Sequence, residues 1–528
     1  MTLIKHKKLL LPMMLFLLAG IAPAYADASS AINTAKHIPI QHNGRIKPFD
    51  SFARQTVKLI TGSERWQKKE PTAVMLDQLS NLEGSRRLKW IRLNYAELKQ
   101  TLALPPAENF FSMEEIQPSM NKLLPLLRSS QAKRDQDLRP VKLEQKAEFL
   151  YTQLMTLERL ISGELATVVP GAETPEAAAL PAEFERLLGL YRSGSFQEFE
   201  EGTRAWIQKV GPLSKEISHA KILLEVRYFE MKPFEWAAAG YLLSFVLLLL
   251  FKHSRLLRGA ALAALAGGFL LHTLGLAMRI VVLSRPPVSN MYESMVFMNW
   301  VAMLGALLFA LLYRNLPILT VGSLASGFIM VYGNLLPLDS SLDVLVPVLR
   351  SNYWLTIHVL TIVSSYGAFG LAMALGHRHL LCAAFNKFSE SAKEESARLI
   401  YRVIQLGTIL IGAGTVLGGV WANESWGRFW GWDPKETWAL ITCLVYLAIV
   451  HLWYSKRIND FWLAMSSVLC FFSVLMTWYG VNFVLGRGLH SYGFGAGGMA
   501  WINVYLLLEA LFVLFILSRR YAGKPQSP

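Results

Sequence analysis

Beyond Phe234 the chain is divided into nine apolar stretches, at about 235–251, 260–283, 294–313, 316–333, 353–376, 401–421, 437–454, 461–484 and 500–518. A helix needs about 20 apolar residues to cross the hydrocarbon of a bilayer. Nine such segments in series predict an all-α, polytopic membrane fold. Apolar residues make up 53% of the 528 positions and charged residues only 17%, against about 25% charged in an ordinary soluble domain. The net charge of +14 raises the question of a nucleic-acid partner, but its placement argues against one. Lys252, Arg255, Arg258, Arg314, Arg378, Lys387, Lys456, Arg457, Arg519 and Arg520 fall in alternate loops, which is the pattern that orients a membrane protein with those loops inside. No basic stripe interleaved with aromatics occurs, so nucleic acid is discounted.

The amino-terminal part reads differently. Lys5, Lys7 and Lys8 precede an apolar run from Leu9, and Ala-Pro-Ala-Tyr-Ala follows at 22–26. This has the form of a secretory signal peptide (1–26), or of an anchor if it is not cleaved. Residues 27–232 then form an extracytoplasmic, mostly helical domain: 142–163 and 183–209 carry apolar residues at helical spacing. Pro and Gly around 165–181 suggest a loop, and His42–Asp50 suggests a turn opening a helix at Ser51. His37 and His42 read as solvated. Residues 233–522 are the transmembrane domain.

With 27–232 outside, the loops 284–293, 334–352, 421–438 and 485–499 also fall outside. The third of these reads Trp421-Ala-Asn-Glu-Ser-Trp426-Gly-Arg-Phe-Trp430-Gly-Trp432-Asp433-Pro-Lys-Glu-Thr-Trp438. Tryptophan collects at membrane interfaces in any case, but an interfacial belt needs neither fixed spacing nor an Asp-Pro stop. The stretch suits a large, flat, apolar ligand. Asp433 and Glu436 are placed to cap the next helix, with Pro434 in its first turn.

Ionisable residues inside spans are functional candidates by default, which singles out His272, His358 and His451. His6, His253, His377 and His379 read as ordinary surface charge. His358 lies near the outer end of its span and His490 in the last outer loop, so both approach the Trp-rich loop. Two neutral imidazoles over an aromatic platform suit axial ligation of a haem iron. Arg428, Lys435 and Arg487 are candidates for charge-assisted bonds to haem propionates. For any single histidine the alternative is a bond to a neighbouring carbonyl. Cys382, Cys443 and Cys470 are isolated, with no C-x-x-C or C-x-x-C-H, so thiol chemistry belongs to partners.

The Trp loop resembles the tryptophan-rich "WWD" signature of haem-handling proteins in cytochrome c assembly. The stretch 284–520 is most similar to CcsA (ResC), the membrane subunit of the system II cytochrome c synthase. The resemblance runs through Pro287-x-Ser-Asn-Met-Tyr-Glu-Ser294, Trp354-Leu-x-x-His358, the Trp loop, His451 and Gly488-Leu-His490-Ser-Tyr-Gly. It implies outer haem ligands at His358 and His490, an intramembrane ligand at His451, and a platform of Trp421, Trp426, Trp430, Trp432, Asp433 and Trp438. It also implies a bacterial cytoplasmic (inner) membrane location and transient, non-covalent haem b. The family's activity is of haem lyase type: haem vinyl groups are presented to the thiols of a C-x-x-C-H apocytochrome c. Implied partners are a CcsB/ResB-like membrane subunit, the apocytochrome and thiol-reducing assembly factors. Residues 38–55 resemble, less specifically, the segment before CcsA in fused CcsB–CcsA chains. No CcsB-like half with its own spans precedes residue 230, so a partner is expected to supply the second intramembrane ligand, with His272 as an in-chain alternative.

Three rival readings stay open on sequence alone. One is a haem relay of CcmC or CcmF type without ligase activity. Another is a transporter whose aromatic loop gates a lipophilic substrate. The third is a scaffold that recruits assembly factors.

Overall fold

The computed structural model describes residues 24–136, 138, 140–165, 175–213, 217–251, 253–344, 351–486 and 498–522. The chain divides into two compact units, 1–229 and 230–528. Of the segment 1–26 that reads as a signal peptide, the residues before Ala24 lie outside the described residues.

In the first unit, helices pack around one apolar core that includes Phe49, Phe52, Trp90, Phe199 and Trp206. The stretch read as a turn is a two-stranded hairpin, β1 (Pro39–His42) paired with β2 (Arg45–Pro48). Asn43 and Gly44 both have positive φ, 50° and 76°, as the tight turns that match strand twist require. The following helix opens at Phe49, two residues earlier than the sequence suggested. His42 is partly rather than fully solvated: it is half-buried and packs edge-on to Phe52 at 5.2 Å. The hairpin is tied to the helix His219–Met231 by a bidentate Arg45–Glu225 pair. Helices Lys142–Ile161, Pro175–Ser193 and Phe196–Val210 account for the two amphipathic segments. The expected loop at 165–181 is therefore shorter than its Pro content suggested, because Pro175 and Pro181 are both within a helix. Of the rest of that loop, 166–174 lie outside the described residues.

The second unit is an all-α, multi-pass membrane structure. Among the described residues, nine helices are long and apolar enough to cross a bilayer. We number them as spans 1 (Pro233–Leu250), 2 (Arg255–Leu283), 3 (Met291–Tyr313), 4 (Leu316–Leu335), 5 (Asn352–Ala384), 6 (Glu390–Trp426), 7 (Pro434–Tyr454), 8 (Asp460–Leu485) and 9 (Met499–Tyr521). Span 1 packs on 2 and 4, span 3 on 4 and 5, span 5 on 6 and 8, and span 7 on 6 and 8. Small residues set how closely two of these pairs approach. A Cβ on Gly268 would lie 3.1 Å from the Ala237 carbonyl of span 1, and one on Gly414 only 3.0 Å from Cα of Ile362 in span 5.

Span 6 corrects the sequence reading most. Its 37 residues extend about 55 Å at 1.5 Å per residue, far beyond the roughly 30 Å of hydrocarbon. The helix runs through Trp421 to Trp426 and stops where Gly427 adopts φ 69°. The non-helical loop is only 427–433, and three of the five tryptophans expected in it are helical, Trp421 and Trp426 in span 6 and Trp438 in span 7.

Candidate functional cleft

The first turns of span 5 are wound as a π-helix over Leu355–Val359, a local widening frequent at functional sites. This segment carries His358. Its Nδ1 lies 2.8 Å from the Gly414 carbonyl oxygen of span 6. A carbonyl only accepts, so Nδ1 donates, and in the neutral ring the lone pair is then on Nε2. That is the usual second contact of a metal-binding histidine. Span 6 has no side chain where the ring rests: a Cβ on Gly418 would meet Cε1 of His358 at 2.7 Å.

His358 opens into a cleft of about 990 Å³, open solvent at its mouth included. The walls come from five places: the 288–291 loop and span 3, His358 and Tyr366 of span 5, Thr415 to Trp421 of span 6, Trp430 to Ala439, and Trp478 and Asn482 of span 8. Trp421 is buried, with its ring 5.6 Å from that of His358. Trp426 stacks on Trp421 at 6.3 Å and 26°. Trp430 lines the cleft and meets Trp432 edge-on at 5.9 Å. Trp426, Trp432 and Trp438 are not part of the lining. Trp432 is 69% exposed and held at φ 56°, a left-handed backbone that costs a non-glycine residue roughly 1–2 kcal/mol.

Glu436 shapes this short loop. Its carboxylate accepts from the Gly431 N–H at 2.8 Å, the Asp433 N–H at 3.2 Å and the Arg428 guanidinium at 3.1 Å. Asp433 is the N-cap of span 7, with Pro434 next and Glu436 completing a capping box. The Asp-Pro-x-Glu spacing encodes that arrangement directly. Arg428 is thus engaged inside the loop, over the Trp426 ring and against Glu436, whereas Lys435 lines the cleft. Trp354 Nε1 donates to Glu424 at 2.9 Å and clamps the tops of spans 5 and 6 together.

The remaining sequence candidates are elsewhere. His490 and Arg487 lie outside the described residues. His451 is exposed in the last turn of span 7, its Nδ1 2.8 Å from the Leu447 carbonyl. It sits about 25 Å along the helix from the Pro434 end. His272 is fully buried, and both its nitrogens are engaged, Nδ1 with the Tyr241 hydroxyl and Nε2 with the Val296 carbonyl, each at 3.1 Å. As seated it offers no lone pair to a metal. His377 and His379 are not the surface charges that their basic neighbours suggested. His377 is half-buried and pairs with Glu509 at 2.9 Å, and His379 is fully buried against Ser396.

Sequence reasoning passed over Tyr366, Trp478 and Asn482 of the cleft wall, and Glu293 beside it. Glu293 had a signal, being a carboxylate three residues after the N-cap Asn290 at the head of an apolar run.

Residues 288–490 match the family described as Cytochrome C assembly protein. Protein NrfI of Wolinella succinogenes is 30% identical over 497 residues, covering 86% of this chain and 53% of that protein. The chain therefore spans about half the length of that relative. The cytochrome c biogenesis protein CcsA of Prochlorococcus marinus (strain MIT 9515) is 36% identical over 250 residues, 42% of this chain and 79% of the relative. CcsA of Guillardia theta is 36% identical over 251 residues, 41% of this chain and 77% of the relative.

Proposed function

The chain belongs to the cytochrome c assembly protein family, and from that premise we propose that it is the haem-binding subunit of a cytochrome c synthase, holding haem b in the His358 cleft for attachment to an apocytochrome c. The single observation that carries the reading is His358 itself: an imidazole in the cleft lining, on a π-helical turn, whose Nδ1–H is tied to a backbone carbonyl as a metal-binding histidine's second nitrogen commonly is.

The residues fit the group. The cleft walls offer indoles and aliphatic groups to a flat macrocycle, and Lys435 offers a cation to a carboxylate. When bound, haem b supplies the vinyl groups that take up the two thiols of a C-x-x-C-H segment. The chain contributes orientation and exclusion of water, and no general acid or base is required of it. When haem b is bound, His358 would hold the iron and Trp421 and Trp430 would pack against the macrocycle, while Glu436 holds the loop that carries Trp430. His490 is proposed as a second iron ligand, and Arg487 as a propionate contact.

His451, exposed on the surface of this unit, is proposed as the intramembrane ligand completed by a CcsB/ResB-like partner. The loop 427–433 is proposed to lie outside the cytoplasm, as is the unit 27–232.

Co-expression with a CcsB-like partner and a C-x-x-C-H reporter tests the reading. Covalent haem on the reporter is expected with the wild type and absent with His358→Ala or His490→Ala. Undiminished covalent haem with both variants would overturn it.

A further inference from the structure

Beside the cleft, but outside its lining, is a buried ionic knot. Glu293, fully buried at the head of span 3, accepts on Oε1 from Arg279 Nη2 at 2.8 Å. On Oε2 it accepts from Arg285 Nη1 at 2.8 Å, from the Ser289 N–H at 3.0 Å and from Ser289 Oγ at 2.7 Å. The two guanidiniums, 1% and 6% exposed, donate onward to backbone carbonyls of Ser340, Ser341 and Asp343. One carboxylate therefore ties together the end of span 2, the 284–290 loop, the head of span 3 and the stretch after span 4.

We infer that Glu293 is a positioning residue for the cleft, fixing through Ser289 the wall formed by Val288, Ser289, Asn290 and Met291. The role rests on the haem-cleft reading above. Charge alone does not explain the geometry. Two arginines closing on one carboxylate satisfy the electrostatics of a buried pair, yet the same carboxylate also takes both donors of Ser289. Ser289 is the residue at which the knot meets the cleft lining. A site that must hold a rigid macrocycle needs its wall locked by such supporting bonds. The side-chain length of glutamate is what lets one carboxylate reach the arginines and the loop together.

Glu293→Asp separates the two roles. It keeps the negative charge that both guanidiniums need but withdraws the carboxylate by one methylene, so that it no longer reaches Arg279 and Ser289 at once. Two readouts are taken on the full chain. Hydrogen–deuterium exchange of the peptide containing Ser289 reports the wall with no haem required, because the Ser289 N–H is protected by Glu293. Transfer of haem to a scavenging apoprotein reports the consequence. The expected result is normal accumulation in the membrane, faster exchange at Ser289 and about tenfold faster haem loss. Added imidazole should leave that loss unchanged, whereas it should repair His358→Ala.

Unchanged exchange at Ser289 would overturn the positioning role. Faster exchange with wild-type haem retention would overturn its connection to the ligand. A wild-type chain that never holds haem would instead sink the haem reading, and the exchange arm would still decide whether Glu293 fixes the wall. If Glu293→Asp does not accumulate, Ser289→Ala, which removes only the Oγ bond and leaves the ion pairs, is read by the same two measurements.

Discussion

A fully buried histidine, His272, and a half-buried one, His358, lie in the same helical bundle in different surroundings. Around His272, spans 1, 2 and 3 close on the ring: Tyr241 and Val296 take both nitrogens, and Phe234 packs edge-on at 5.6 Å. Around His358, span 6 recedes at Gly418, Nδ1 is anchored on the Gly414 carbonyl and the residue lines the cleft. Intramembrane position does not distinguish them, nor does residue type. What differs is whether the neighbouring helices close completely round the ring or leave it on the wall of a cleft. On the proposed function the first arrangement is a packing element and the second a ligand.

Substitutions that exchange these two characters give the sharpest tests. His358→Ala is expected to remove nearly all bound haem with little loss of fold, read as haem absorbance per mole of purified chain. His272→Ala should do the reverse: haem is retained, while a lost side chain and two buried hydrogen bonds cost about 3 kcal/mol, read as a lower unfolding temperature in detergent. Haem loss with His272→Ala at unchanged stability would break the comparison.

The glycines carry the same contrast at lower cost. Gly418→Ala places a methyl 2.7 Å from Cε1 of His358, so the ring must shift. An overpacking penalty of about 1–3 kcal/mol should appear as weaker haem retention. Gly268→Ala, whose Cβ would meet Ala237 and Tyr241, should lower thermal stability and leave the haem spectrum unchanged. The smallest effect is expected within the Trp loop. Trp432→Phe, at an exposed position outside the lining, should change haem retention less than Trp421→Phe, and the opposite ranking would place Trp432 against the ligand.

Much of this bundle is legible in the sequence because it is written locally. Long apolar runs announce the nine helices, and Asp433-Pro434-x-Glu436 announces the start of span 7. Gly427 also marks the end of span 6, but the density of indoles around it suggested a loop beginning six residues earlier than the one that forms. The Asn43-Gly44 pair carried the hairpin signal and was read only as a turn.

What the sequence hides is pairing across distance. Arg279 meets backbone oxygens some sixty positions away. His377 meets Glu509 from another span, so its basic sequence neighbours misled. The difference between His272 and His358 is of this kind. Both are single histidines in apolar helices, and only the packing of spans 3 and 6 against them shows which one is closed in and which one lines a cleft.

The central claim is that His358 is a haem ligand and not a packing element. Visible spectra of the purified chain, oxidised and reduced, with and without added imidazole, test it most directly when wild type and His358→Ala are compared. The account predicts a six-coordinate, low-spin haem b in the wild type, its loss in His358→Ala, and its return when imidazole enters the space the side chain vacated. An unaltered spectrum in His358→Ala would contradict it.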